Sequence, residues 1–203
     1  IAHEMRIRAE AFNQAVAAST PVAIAPTFGA FSAIYAAVAL QAADMIERYS
    51  LCDSIGIEVV FPWWARNLFL ADVARQNGVT CDEINPQCIV DSFAQLGVRV
   101  QWARGLAPNV PTNIGGPAPA LVWPANIPFL IHPAGAFQLG RGAEVNLGVI
   151  HDSTKFSTND YTALFSEECI ATVFRGPESR FVTVPVCPDG VTGAQLDVAC
   201  PIA

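Results

Sequence analysis

The sequence predicts an α+β fold, and three observations predict it. Two long stretches within the first fifty residues repeat apolar side chains at helical spacing, and near residue 57 a β-branched run feeds directly into another helical stretch. Beyond residue 98, short alternating or β-rich runs are separated by proline and glycine.

Ile1 to Ala18 places Ile1, Met5, Arg8, Phe12 and Val16 on one helical stripe, with Glu4, Arg6 and Glu10 away from it. No capping residue precedes Ile1, so its first amides lack partners and more chain is expected upstream. Ser19-Thr20-Pro21 ends the helix, because a residue before proline avoids the helical region. Val22 to Ile24 then reads as a short strand. From Ala30 to Ser50 the stripe Phe31, Ile34, Tyr35, Val38, Ala42, Met45, Ile46 and Tyr49 stands opposite Gln41, Asp44, Glu47 and Arg48, a long amphipathic helix. Its alanines leave room for a neighbouring element to approach closely.

In the run Gly56 to Gly78, Ile57, Val59 and Val60 read as a buried strand, Pro62 as the preset first turn of a helix, and Asn77-Gly78 as its left-handed stop. Trp64, Leu68, Ala71 and Arg75 share one face, and truncating Trp64 to alanine is expected to cost about 3 to 5 kcal/mol as a core residue. Trp63, Arg66 and Arg75 bring indole and guanidinium groups near the helix surface. No phosphate-cradling glycines precede this helix, so tryptophan beside arginine reads as core or subunit contact before it reads as a nucleotide site.

Asn85-Pro86 caps a short helix with Ile89, Val90, Phe93 and Leu96 on its apolar face and Gly97 at its end. Val98 to Trp102 alternates as a half-exposed strand. Gly105 to Pro119 holds too many prolines and glycines for a packed element and reads as an exposed loop. Leu121 to Trp123, Ile127 to His132, Glu144 to Ile150 and Phe181 to Pro185 read as strands, with a turn at Pro133-Ala134-Gly135. Tyr161 to Phe174 fits strand or helix equally.

Of the 203 residues, 52% are hydrophobic and 14% charged. That charged share is well below the roughly 25% usual for soluble domains. No apolar run spans a bilayer, since Asp44, Glu47 and Arg48 interrupt the richest stretch, so the spare apolar surface is expected to meet other protein. A formal net charge of −7 with Lys155 as the one lysine excludes a reader that wraps phosphates in a basic face. It does not exclude a protein that encloses nucleic acid.

The six cysteines, Cys52, Cys81, Cys88, Cys169, Cys187 and Cys200, lie far apart with no Cys-x-x-Cys pair and read as reduced, mostly buried thiols of a cytosolic chain; Cys187 and Cys200 flank a turn and are the pair to test. His3, His132 and His151 lack the close pairing of a metal site. His151, Asp152 and Ser153, with Ser157 nearby, offer the side chains of a hydrolase, but no glycine-flanked serine elbow accompanies them. Such clusters more often close turns. Glu167 and Glu168 are adjacent and so point in different directions, which suits an ion pair with arginine better than a glycosidase pair. No catalytic, cofactor-binding or metal-ligating residue is therefore assigned, and the chain reads as a non-enzyme without cofactor.

Thr27-Phe28-Gly29-Ala30, Leu40 to Met45, Val59 to Trp64 with Ala71 to Ala74, Ile131 to Gly135, His151 to Ser153 with Ser157 to Phe165, and Pro185-Val186-Cys187-Pro188 occur in an order and spacing that covers most of the chain. In these the sequence resembles the major capsid proteins of tailed bacteriophages, of the Hong Kong phage capsid fold, and most those of phages infecting actinobacteria. The resemblance implies an elongated peripheral domain with a spine helix, ending in residues 1–24 and returning over 156–203, and an axial domain over 25–155. It implies a structural protein of the virion, assembled in the host cytoplasm from pentamers and hexamers of itself. Scaffold, portal and cement proteins are its further partners, and it encloses double-stranded DNA without sequence-specific binding and without a membrane. The loop Gly105 to Pro119 is then expected near a symmetry axis. The family's N-terminal arm and extended loop have no counterpart before Ile1, so these residues alone are not expected to build a stable shell, and with Lys155 as the one lysine the covalent crosslinking of some relatives is not carried over. A cellular nanocompartment shell of the encapsulin kind is the alternative within the fold. The hydrolase using His151, Asp152 and Ser153 is the alternative outside it.

Overall fold

The computed structural model describes residues 2–24, 29–52, 54–78, 80, 84–104, 114, 119, 120, 123–142, 148–150, 163–165 and 169–186. They form an α+β structure. The helices are α1 (Ala2–Ala17), α2 (Phe31–Tyr49), α3 (Ala65–Asn77) and α4 (Gln87–Ala94). The strands are β1 (Thr20–Ala23), β2 (Ile57–Pro62), β3 (Val98–Ala103), β4 (Asn126–Pro133), β5 (Phe137–Arg141), β6 (Gly148–Ile150), β7 (Ala163–Phe165), β8 (Ile170–Phe174) and β9 (Arg180–Pro185).

Five strands make one mixed sheet in the order β1-β9-β4-β2-β3. The outer pairs, β1 with β9 and β2 with β3, are parallel, whereas β4 runs antiparallel to both β2 and β9. Each parallel pair joins strands far apart in sequence, as the pattern requires of connections that must cross back over the sheet. β1 lies at an edge, the place where the missing N–H of Pro21 is tolerated. Two ribbons stand apart from this sheet, β5 with β8 and β6 with β7.

Alternation along the strands decides the core. Ile57, Val59 and Phe61 of β2, Ile127, Phe129 and Ile131 of β4, and Val182 and Val184 of β9 turn to one face. There α2, α3 and α4 cover them with Ile34, Val38, Met45, Phe69, Ile89 and Phe93. Phe61 is the hub, with ring centroids of Phe69, Phe93, Trp102 and Phe129 at 5.6, 5.5, 5.6 and 5.4 Å.

The short helix α4 is built as its sequence pattern predicts. The Asn85 side-chain oxygen accepts a hydrogen bond from the Gln87 amide at 2.9 Å, Ile89 and Phe93 are buried, and Gly97 closes the turn at φ 71°. Gly78, at φ 64° and ψ 27°, ends α3 in the left-handed conformation, where a side chain would be strained. The run 161–174 resolves as strand where it is described, in β7 and β8.

Several expectations change. Pro62 is the last residue of β2 and not the first turn of a helix, which begins at Ala65. Its pairing with β3 opposite Ala103 extends the strand past the point where proline would start a helix. The buried side of α3 is Ala65, Leu68, Phe69, Asp72 and Ala74, so Trp64 is only half-buried at the core margin and Arg75 is exposed. On α1, Ile7 and Ala15 are buried and Arg8 is exposed, because the contact is made to β8: Thr172 donates its amide to the Gln14 side chain at 2.9 Å and its hydroxyl to the Ala11 carbonyl at 3.2 Å. Trp123 lies outside any strand, and β5, unread in the sequence, pairs with β8 from Phe137↔Phe174 to Arg141↔Ile170. The expected loop lies outside the described residues except for 114 and 119, and so does all but 148–150 of the strand expected over 144–150.

Candidate functional site

Most side chains that suggested chemistry fall outside the described residues: those of His3, His151, Asp152, Ser153, Ser157, Glu167 and Glu168, and of Cys81, Cys187 and Cys200. His132 is described, and its setting is structural. It is buried on β4, its Nδ1 lies 2.9 Å from the Pro133 carbonyl, an acceptor that keeps the proton on that nitrogen, and Phe137 meets its ring edge-on at 4.9 Å. The described cysteines are unbridged but not buried as expected: Cys52 and Cys169 are exposed and Cys88 is half-buried, and Cys52 Sγ accepts a hydrogen bond from the Ser54 hydroxyl at 3.3 Å. Among the described residues no group of three or more His, Cys, Asp or Glu is arranged to hold a metal ion. Nor is any described helix long and apolar enough to cross a membrane.

The densest polar cluster ties α2 to the start of β9. Arg180 is buried, and its guanidinium donates to Gln41 Oε1 at 2.7 Å, Asp44 Oδ2 at 2.6 Å and Glu178 Oε2 at 2.7 Å. The Tyr49 hydroxyl donates to the same Glu178 oxygen at 3.0 Å. Gln41, read in the sequence as solvent-facing, is therefore buried; its side chain satisfies a guanidinium that could not otherwise lie beneath the helix. Hydrogen bonds from Arg180 hold the carboxyls of Asp44 and Glu178 below the usual range. Burial, and then the bond to Glu178, push the Tyr49 hydroxyl up.

The two directions give opposite pH limits. A depressed carboxylate stabilises the fold above its ordinary range, and that contribution is lost as pH falls below about 4 and through the lowered folded value. A raised tyrosine stabilises below its ordinary value, and that contribution is lost as pH rises above about 10 and through the raised one. The melting temperature is thus expected to be level near neutrality and to fall at both limits, and the acid fall should shrink in an Asp44→Asn, Glu178→Gln variant. An acid limb identical to wild type in that variant would remove the clamp as its source.

A second polar device sits at the other end of α2. Asp72 of α3 is 2% exposed, and its Oδ2 accepts the amides of Ala30 and Phe31 at 3.2 and 2.7 Å and the Gln76 side-chain amide at 3.0 Å. It caps the neighbouring helix from across the core, at the end where the helix dipole favours an anion, and Ala30 has no side chain to do so. Gly29, at φ 79°, brings the chain in beside it; a Cβ there would lie 2.9 Å from Ser32 Oγ. The other oxygen, Oδ1, is buried without a hydrogen bond. Asp72→Ala is expected to destabilise by about 2 kcal/mol through loss of this cap, measured by urea unfolding. A change under about 0.5 kcal/mol, within the range of an ordinary surface substitution, would mean that the amides find another partner.

The third feature is aromatic and lies where β2 ends. The Trp63 amide donates to the Ala103 carbonyl at 2.8 Å, so the ends of β2 and β3 meet there. Arg104 then stacks over the Trp63 ring with its guanidinium carbon 5.1 Å from the centroid. Trp64 lies 6.4 Å from Trp123 at an interplanar angle of 34°. The arginine over Trp63 is thus Arg104 and not Arg66 or Arg75, which sequence spacing along the helix had brought to mind. Arg180, Asp72 and Arg104 were all missed in the sequence, though a lone arginine opening a β-branched run and an aspartate on an apolar helix face are visible in it.

No protein-family model matches the chain, and no curated protein sequence matches it. The polar clusters described above brace secondary structure against secondary structure. Among the described residues the exposed large apolar side chains are Leu40 on α2, Ile55 just before β2, Trp63 beyond the end of β2, Trp123 before β4, and Leu139 and Val173 on the β5–β8 ribbon.

Proposed function

We propose that the chain is the major capsid protein of a tailed bacteriophage, a non-enzymatic subunit that assembles with copies of itself into a closed icosahedral shell around double-stranded DNA. One observation carries this reading. Among the described residues large apolar side chains are exposed at four places along the chain, on α2, just before β2, around the end of β2 and on the β5–β8 ribbon, in a chain that is only 14% charged. A ligand cleft would gather them in one concavity, and a two-fold dimer would gather them in one patch. Dispersed apolar contacts suit a subunit with several neighbours.

In this reading α1 is the end of the spine helix and rests on β8 of the returning peripheral stretch, whereas α2, α3 and α4 with β2, β3, β4 and β5 belong to the axial stretch 25–155. β1 and β9, from the stretches 1–24 and 156–203, lie in the same sheet as β2, β3 and β4 from 25–155, so both divisions run through one sheet and its core. The acidic balance, −7, keeps packaged DNA from binding the wall tightly.

Electron microscopy of the native protein tests the proposal. Closed particles containing DNA are expected. Closed particles that hold protein cargo and no DNA would replace the capsid with a nanocompartment, and a chain that stays monomeric at high concentration would remove both.

A further inference from the structure

Asn77-Gly78 is the one Asn-Gly pair in the chain's 203 residues. Both residues are exposed, and no atom lies within 4 Å of where a Cβ on Gly78 would stand. An asparagine followed by glycine is the pair most open to attack on its own side chain, because glycine sets no Cβ beside the following amide nitrogen. Here the fold works against that attack. Asn77 is the last residue of α3, and a helical ψ of about −40° turns the Gly78 nitrogen away from the Asn77 side-chain carbon. Gly78, at φ 64°, donates its amide to the Arg75 carbonyl at 3.2 Å, so the nitrogen that would attack is also engaged in the cap. One residue earlier, the Gln76 side chain donates to Asp72 Oδ2 at 3.0 Å and braces the same turn.

We propose that Asn77 is a latent site of spontaneous covalent modification, deamidation through a cyclic imide, which the cap of α3 holds off and the opening of its last turn releases. In the first step the Gly78 amide nitrogen loses its proton and bonds to Asn77 Cγ, and the Cγ–Nδ2 bond breaks with release of ammonia. Water then opens the imide at either carbonyl and leaves aspartate or isoaspartate at 77; water is the only co-reactant, and nothing is oxidised or reduced. Either product sets a carboxylate at the negative end of α3, which disfavours an anion, and isoaspartate adds a backbone atom where the left-handed stop must form. With isoaspartate the turn cannot reclose as before. Because Gln76 belongs to that turn and bonds the carboxylate that caps α2, the change reaches the start of α2 as well.

The test follows the full chain at mildly alkaline pH by peptide mapping with mass spectrometry, folded and in urea. It reads the exchange of the side-chain amide for a carboxyl at Asn77 and, as reference, at the exposed Asn13 and Asn126. In urea Asn77 is expected to react faster than both, and in the folded chain at least about tenfold more slowly than in urea. Gln76→Ser, which removes the brace, is expected to raise the folded rate relative to its own rate in urea. Val182→Ala, which weakens the core at β9, away from this turn, is expected to leave that ratio unchanged. A rate in urea no faster than at Asn13 and Asn126 overturns the site, and equal rates folded and in urea overturn its protection by the cap. A Gln76→Ser ratio equal to wild type, or a Val182→Ala ratio raised as much as that of Gln76→Ser, overturns local opening as the release.

Discussion

Phe61→Ala is expected to destabilise the protein by about 5 kcal/mol, the upper end for a buried phenylalanine. Phe61 is fully buried where β2 meets α3 and α4, and four aromatic rings lie within 5.6 Å of it, centroid to centroid. Phe69, Phe93 and Phe129 come from α3, α4 and β4, so a void there is shared by three elements whose backbones are held by other contacts and cannot all collapse inward. A loss of this size is a large part of the 5 to 15 kcal/mol that stabilises a typical domain. Urea unfolding should show the midpoint of Phe61→Ala far below wild type, with Phe61→Leu losing less than half as much. Equal midpoints for Phe61→Ala and wild type would mean that the aromatic cluster is not the centre of the core.

Arg180→Met is expected to cost about 3 kcal/mol, toward the low end for breaking a buried ion pair because the side chain of Asp44 remains 41% exposed and partly hydrated. The loss arises chiefly at Glu178 and Gln41, which would face the apolar underside of α2 with no cation to satisfy them. Adding Glu178→Gln and Asp44→Asn to Arg180→Met should restore at least half of the loss, since the unpaired charges then disappear. The same triple variant should lose most of the acid limb of the stability profile. A triple variant no more stable than Arg180→Met, by thermal and urea unfolding, would show that Arg180 acts by packing its stem and not by its charge.

These two residues illustrate how differently the sequence spoke of apolar and polar positions. The helical stripe over 30–50, the capped helix ending at Gly97, the alternation of Val98 to Trp102 and the left-handed stop at Gly78 were legible because each is a local pattern: periodicity, a cap or a backbone conformation that the neighbouring residues impose. The same periodicity misplaced the polar residues. Gln41 was assigned to solvent because amides usually are, yet its partner Arg180 lies 139 residues away. Asp72 looks like a surface carboxylate on α3 until the start of α2, 41 and 42 residues earlier, is brought against it.

At the aromatic corner, adjacent tryptophans at 63 and 64 were conspicuous in the sequence, but Arg104 and Trp123 join them only through the pairing of β2 with β3 and the return of the chain at the start of β4. The sequence by itself determined the α+β class, the positions of most helices and strands, and the low share of charge. Only the tertiary structure decided that Pro62 ends a strand, that β9 lies between β1 and β4, and which polar groups are buried. The physical reason is range: apolar spacing is a property of one segment, whereas burying a charge depends on a counter-charge delivered from elsewhere in the chain.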